Sequence, residues 1–264
     1  MIVIMMMFMP GVFMFVILFF VFMLMFLVIV VMSFVSMIMI LMGDGVCACV
    51  TLNKSKGQNS GWIVITLAWG FAVMCGVLIA GPVSGAHLNP AVTLGLAAAG
   101  LFSPALIVPY IVAQMIGGFL GAGLVWLFYK DHYDITEDAN AKLGTFCIAP
   151  AIRHYSQNLL CEVIATFVLL LCIISCATVN AEGFAMLGPI PVTFLIMALG
   201  MSLGGTTGYA MNPARDLGPR FAHYLLPMKS NKRDSDWSYA WVPIIGPLIG
   251  GPLAGFVGWL LYIL

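Results

Sequence analysis

The tripeptide Asn-Pro-Ala occurs twice in this chain, within SGAHLNPAVTLGL (84–96) and TGYAMNPARDLGP (207–219), and otherwise apolar sequence surrounds both copies. Proline suits the first turn of a helix, where its missing N–H is not needed. The asparagine before it then caps that helix. Each copy therefore predicts a short helix that starts among apolar residues. Irregular backbone at membrane depth is tolerated only where protein buries it or it lines a wet cavity. One copy alone would read as an ordinary helix start in a loop. Two, one in each half of the chain, point to a pore.

The 264 residues are 62% hydrophobic and 8% charged, which no soluble domain of this size sustains. Basic and acidic residues balance at ten each, leaving no footprint for nucleic acid. Seven scattered cysteines lack metal-ligand spacing, and Cys47/Cys49 is C-x-C, not C-x-x-C. They read as small buried hydrophobes, so no metal, cofactor or disulfide frame is expected.

Apolar runs of about 20 residues, the length that crosses a bilayer, fall near 62–81, 105–129, 158–179, 188–206 and 239–263, with a further block over 1–43. Stretches 85–100 and 208–226 are too short and too Gly/Pro-marked to span. The second half repeats the first. VPYIVAQMIGGFLGAG (108–123) matches VPIIGPLIGGPLAGFV (242–257), with Pro109 over Pro243, Gly117 over Gly251 and Gly121 over Gly255. Small residues so spaced let helices approach closely in lipid. An odd number of spans per half inverts the repeats, so the two short helices enter from opposite faces and meet near the midplane. The expected organisation is an apolar N-terminal extension (1–30) and a channel domain (31–264), made of repeat one (31–130), a connector (131–156) and repeat two (157–264). The extension lacks the basic start and cleavage site of a signal peptide.

These motifs resemble the major intrinsic protein family, and within it the glycerol facilitator (aquaglyceroporin) branch. The branch signature is Asp216 directly after Arg215, Arg220 four further on, Pro243-Ile244 in the last span and Tyr129 ending the third. The resemblance implies an all-α membrane protein with six transmembrane helices and two half-helices in a right-handed aquaporin-type bundle. It also implies a homotetramer, multi-pass in the plasma membrane, with one pore per subunit.

A permeating hydroxyl must exchange its water contacts for protein ones, because an unmet polar group costs several kcal/mol in an apolar slot. Asn89 and Asn212 would supply NH2 donors at the midplane. Carbonyls of Gly85, Ala86, His87, Leu88 and of Gly208, Tyr209, Ala210, Met211 would supply acceptors. The half-helix N-termini, each carrying about half a positive charge, would repel cations. Arg215, a cation on an apolar half-helix, is expected to face the lumen, whereas Arg220 fits a side chain snorkelling to the interface. By resemblance, Trp69, Gly200 and Tyr209 complete a narrow filter with Arg215. Glu162, the acid inside a span, would brace the strand before Asn212, with His87 and Asp216 as further braces. Asp44 is assigned to a wet mouth.

Two departures from the family pattern stand out, and the charge distribution adds a conflict over orientation. The first span normally carries an acid related by symmetry to Glu162, and here that position falls near Met32. Residues 1–30 carry no charge and read as an added span, a long tilted extension or an altered segment. All ten Lys/Arg fall on the side away from both termini, which the positive-inside rule would make cytoplasmic. The resemblance places the termini in the cytoplasm, and that orientation is preferred.

The function expected is a passive channel for glycerol and related small uncharged polyols, and also water, that excludes ions and protons. A water-selective pore is the alternative, and Gly200 with Asp216 argues against it. A secondary transporter would want coupling carboxylates along its path. An intramembrane enzyme would want a nucleophile–base pair, which four dispersed histidines do not offer.

Overall fold

The computed structural model describes residues 2–179 and 181–264, with side chains from residue 14 onward except 22, 24 and 180. The helices are α1 (Ile2–Thr51), α2 (Trp62–Ser84), α3 (Pro90–Ala98), α4 (Ile107–Phe128), α5 (Lys130–Ile135), α6 (Ala139–Gly144), α7 (Tyr155–Thr178), α8 (Ala181–Met186), α9 (Ile190–Leu203), α10 (Pro213–Leu225), α11 (Trp237–Ala240) and α12 (Val242–Tyr262). Among the described residues, five segments are long and apolar enough to cross a membrane, and α9 is a shorter apolar helix. Its 14 residues rise about 21 Å, less than the predicted span 188–206. Pro189 precedes its first turn, and the chain turns away through Gly204 and Gly205.

The N-terminal extension and the first span belong to one helix. Helix α1 runs unbroken for 50 residues, about 75 Å at 1.5 Å per residue. Most of the described large side chains from Met14 to Val30 are exposed, Val28 and Ile29 are half-buried, and full burial begins at Met32. The side chains of 1–13, and residue 1 altogether, lie outside the described residues.

The packing carries the inverted repeat. α1 packs on α2 and α4, while α7 packs on α12 and α9. Each half-helix lies against the last span of the other repeat, α3 on α12 and α10 on α4. Glycines make this approach close. A Cβ on Gly118 would sit 2.7 Å from the Ala214 carbonyl oxygen, and one on Gly251 would sit 2.7 Å from that of Ala91. Gly117 faces the Ser33 carbonyl of α1, and Gly250 faces the Val163 carbonyl of α7. The repeats therefore align Gly117 with Gly250 and Gly118 with Gly251, one residue off the register read from the two proline positions. The cause is that VPYIVAQMIGG holds one residue more between its Val-Pro and Gly-Gly pairs than VPIIGPLIGG does. The same environments pair Ser33 with Val163, and hence Met32 with Glu162.

Candidate functional site

Helix α2 ends at Ser84, and Gly85 takes the left-handed conformation (φ 68°) that closes it. The chain then runs without helical structure to Asn89, and a matching strand leads from Gly208 to Asn212. Both segments carry non-glycine residues in the left-handed region. Ala86 (φ 47°) and Leu88 (φ 55°) are left-handed in the first, and Tyr209 (φ 40°) and Met211 (φ 47°) in the second. These are the third and first residues before each asparagine. Left-handed geometry costs a non-glycine residue roughly 1–2 kcal/mol, so tertiary contacts must hold it.

Those contacts come from the asparagines and from Glu162. Asn89 Oδ1 accepts from the Ala91 N–H (2.8 Å), and Asn212 Oδ1 accepts from those of Ala214 (3.0 Å) and Arg215 (3.1 Å). Asn89 Nδ2 donates to the Met211 carbonyl (2.7 Å), and Asn212 Nδ2 donates to that of Leu88 (2.8 Å). Glu162 is fully buried. Its Oε1 accepts from Thr207 Oγ1 (2.6 Å) and the Ala210 N–H (3.1 Å), and its Oε2 from the Met211 N–H (2.9 Å). Met32, its counterpart, is instead buried with Tyr110 and Ala113. Around the first strand, the Ala86 N–H reaches Ser84 Oγ at 3.4 Å, while His87 Nδ1 bonds Thr93 Oγ1 (3.1 Å) and its ring packs on Phe102 and Tyr110.

A cavity of about 520 Å³ is lined by Asn89, Asn212, Trp69, Tyr209 and Arg215, together with residues 85–88 and 210–211. The Arg215 guanidinium carbon lies 4.5 Å from the Trp69 ring centroid, within range of a cation–π contact. Gly200 makes room for Tyr209: a Cβ there would meet Tyr209 Cζ at 2.8 Å and its hydroxyl at 2.9 Å. Trp62, which the sequence did not flag, fixes this corner. Its indole N–H donates to the Gly200 carbonyl (2.9 Å), and its ring meets that of Tyr209 edge-on at 5.7 Å.

Three placements differ from expectation. Asp44 is not in a wet mouth; it is 1% exposed. Arg220 does not snorkel. It is fully buried and donates to Asp216 Oδ1 from Nε (2.8 Å) and to the carbonyls of Ser235 and Ile148. Asp216 also accepts the Ile148 N–H (2.9 Å), so the pair ties two connectors to α10. The carbonyls of Leu88 and Met211 are engaged by the opposite asparagine. The sequence reading also missed part of the lumen wall on α7, where Leu169, Cys172, Ile173 and Cys176 line the cavity. Their three- and four-residue spacing marks one helix face and was available as a signal. All seven cysteines are free thiols. Among the described residues, no group of three or more His, Cys, Asp or Glu side chains could hold a metal ion.

Two inverted half-helices capped at a shared junction, inside a bundle of apolar spans, define a multi-pass membrane channel. Residues 15–258 match the Major intrinsic protein family, and the chain belongs to it. It is 56% identical over 219 residues to glycerol uptake facilitator protein 3 of Lactiplantibacillus plantarum, covering 83% of this chain and 90% of that one. It is 55% identical over 224 residues to a probable glycerol uptake facilitator protein of Thermotoga maritima, covering 84% and 94%. Among solved structures, it superposes on the aquaglyceroporin of Plasmodium falciparum with a TM-score of 0.75 and 28% identity, covering 86% of this chain and 92% of that one.

Proposed function

We propose that this chain is a passive channel for glycerol and related small uncharged polyols, passing water and excluding ions and protons. The observation that carries the reading is the filter corner, where Gly200 leaves space that the Tyr209 ring enters, beside Trp69 and Arg215. Two aromatic walls accept a carbon chain, and Arg215 donates to successive hydroxyls. Asn89 and Asn212 each keep a second amide hydrogen beyond the one already engaged, available to a solute at the midplane. The strand carbonyls act as acceptors on either side, and Glu162, His87 and Asp216 hold the strands and α10 in place. The half-helix N-termini disfavour cations at the junction. Residues 31–264 form the channel unit, assembled as a homotetramer in the plasma membrane as the family resemblance implies.

Stopped-flow light scattering on proteoliposomes tests the reading. Glycerol flux should rise in proportion to the gradient and ignore ion gradients. Saturation in the low millimolar range, or dependence on an ion gradient, would replace it with a transporter. Native mass measurement should show four subunits, and a monomer would remove the tetramer.

A further inference from the structure

A second cavity, of about 280 Å³, lies between α1, α4 and α10, and every residue that lines it is apolar. Its wall includes Met37, Phe119, Gly123, Leu124, Ala222 and Leu226. Gly123 keeps it open, since a Cβ there would meet nothing within 4 Å. Helix α10 runs 13 residues from its cap at Asn212 to this groove, about 20 Å. A junction at the midplane leaves about 15 Å of hydrocarbon on either side, so the end of α10 stands at headgroup level. Aromatic rings gather there, as they do at membrane interfaces. The Phe119 ring lies 6.4 Å from that of Phe221, and exposed Trp237 meets Phe221 at 6.1 Å and Tyr224 at 6.0 Å. Lys232 holds the same rim: its Nζ donates to the carbonyl of Leu226 (2.7 Å), a wall residue, and to that of Tyr224 (2.8 Å). An ammonium has three hydrogens, so one is left over. The other cations of this loop are matched, Lys229 by Asp134 (3.3 Å) and Arg233 by Asp234 (3.4 Å). Among the described residues, Lys232 makes no ion pair.

We infer that this groove binds one anionic phospholipid, with an acyl chain laid along Gly123 and the phosphodiester on the remaining hydrogen of Lys232. An apolar slot and a fixed, unmatched cation at its upper rim are complementary to that ligand at both ends. Basic sites between spanning helices hold lipid headgroups in this way. A zwitterionic lipid would bring its own cation toward Lys232 and lose much of the gain.

The test titrates delipidated protein in neutral detergent with dioleoyl phosphatidylglycerol or dioleoyl phosphatidylcholine and counts bound lipids and subunits by native mass spectrometry. Wild type should hold one phosphatidylglycerol per subunit, with about tenfold preference over phosphatidylcholine. Lys232→Gln should bring that preference close to one, and Lys232→Arg should keep most of it. Gly123→Leu fills the groove without a clash at Cβ and should weaken both lipids about tenfold. Lys56→Gln, an exposed lysine in the α1–α2 loop, should change nothing. An unchanged preference in Lys232→Gln, unchanged binding in Gly123→Leu, or an equal loss in Lys56→Gln overturns the inference. A Gly123→Leu variant that alters the subunit count but not the lipid count would assign the groove to a second copy of the chain, and overturns it too. Lipid counting needs no transport, so a protein that binds the lipid but passes no glycerol would strike the channel reading alone.

Discussion

Asn89 and Asn212 are cross-connected: each donates its amide hydrogen to the carbonyl that precedes the other, at 2.7 and 2.8 Å. Each also caps its own half-helix through Oδ1. One side chain thus ends a helix and ties the two repeats together. Asn212→Asp would keep the cap but place a carboxylate oxygen against the Leu88 carbonyl, where a donor is needed. A buried group left facing a like dipole costs about 1–3 kcal/mol. Folded yield should fall and glycerol flux should drop at least about tenfold per channel, measured by light scattering normalised to reconstituted protein. Full flux would show that the cross-connection is dispensable.

Gly200→His should narrow the corner now held by Tyr209, since any side chain there meets the Tyr209 ring. The expected outcome is a lower glycerol-to-water permeability ratio, read by osmotic swelling against glycerol entry. An unchanged ratio would mean that solutes do not pass this corner.

Arg215→Val removes the cation beside Trp69 and leaves an apolar ring open to the lumen. Leakage of urea and small ions should rise in flux assays, while the half-helix caps stay intact. Unaltered selectivity would take Arg215 out of the filter.

Glu162→Gln replaces one of two acceptor oxygens with an NH2 that faces donors already in place, namely Thr207, Ala210 or Met211. The loss should be about 3 kcal/mol, typical of breaking a buried charged network. It should lower the thermal midpoint in detergent more than it alters selectivity. A normally stable variant would undercut the bracing role. Met32→Glu is the complementary change, placing an acid at the matching site of the first repeat, and should raise that midpoint.

Outside the membrane, Arg153 donates to both carboxylate oxygens of Asp236, and that hydrogen bonding holds Asp236 below the usual carboxylate range. A carboxylate shifted down contributes stability above its unfolded value, about 3.9, and loses it as pH falls through the folded value. Arg153 is partly exposed, so the pair is worth no more than about 1 kcal/mol. The difference in thermal midpoint between wild type and Arg153→Gln should hold steady from neutral pH down to about 5, then shrink in stronger acid. A constant difference throughout would show that the pair's charge is irrelevant.

The six apolar stretches, the two capped short helices and the inverted pairing were legible because they depend on neighbours within one or two turns. Pro90 and Pro213 start helices wherever they lie, and Asn89 and Asn212 cap them. Met32 as the counterpart of Glu162 was also legible, and the glycine contacts that equate Ser33 with Val163 agree with it. Asp44 and Arg220 were not. Hydropathy assigns a charge to water unless its partner is visible, and neither the burial of Asp44 nor the Ser235 and Ile148 carbonyls around Arg220 can be read from local sequence.

Sequence alone determined that this chain spans a membrane, that it carries two buried helix starts and that it belongs with channels of one family, since local propensity and hydrophobic length decide all three. Tertiary structure alone decided which carbonyl each asparagine engages, the close approach of Gly118 and Gly251 to the opposite half-helices, and the burial of Asp44. Those outcomes join residues far apart in the chain, and only the close approach of packed helices selects among the partners that local rules leave open.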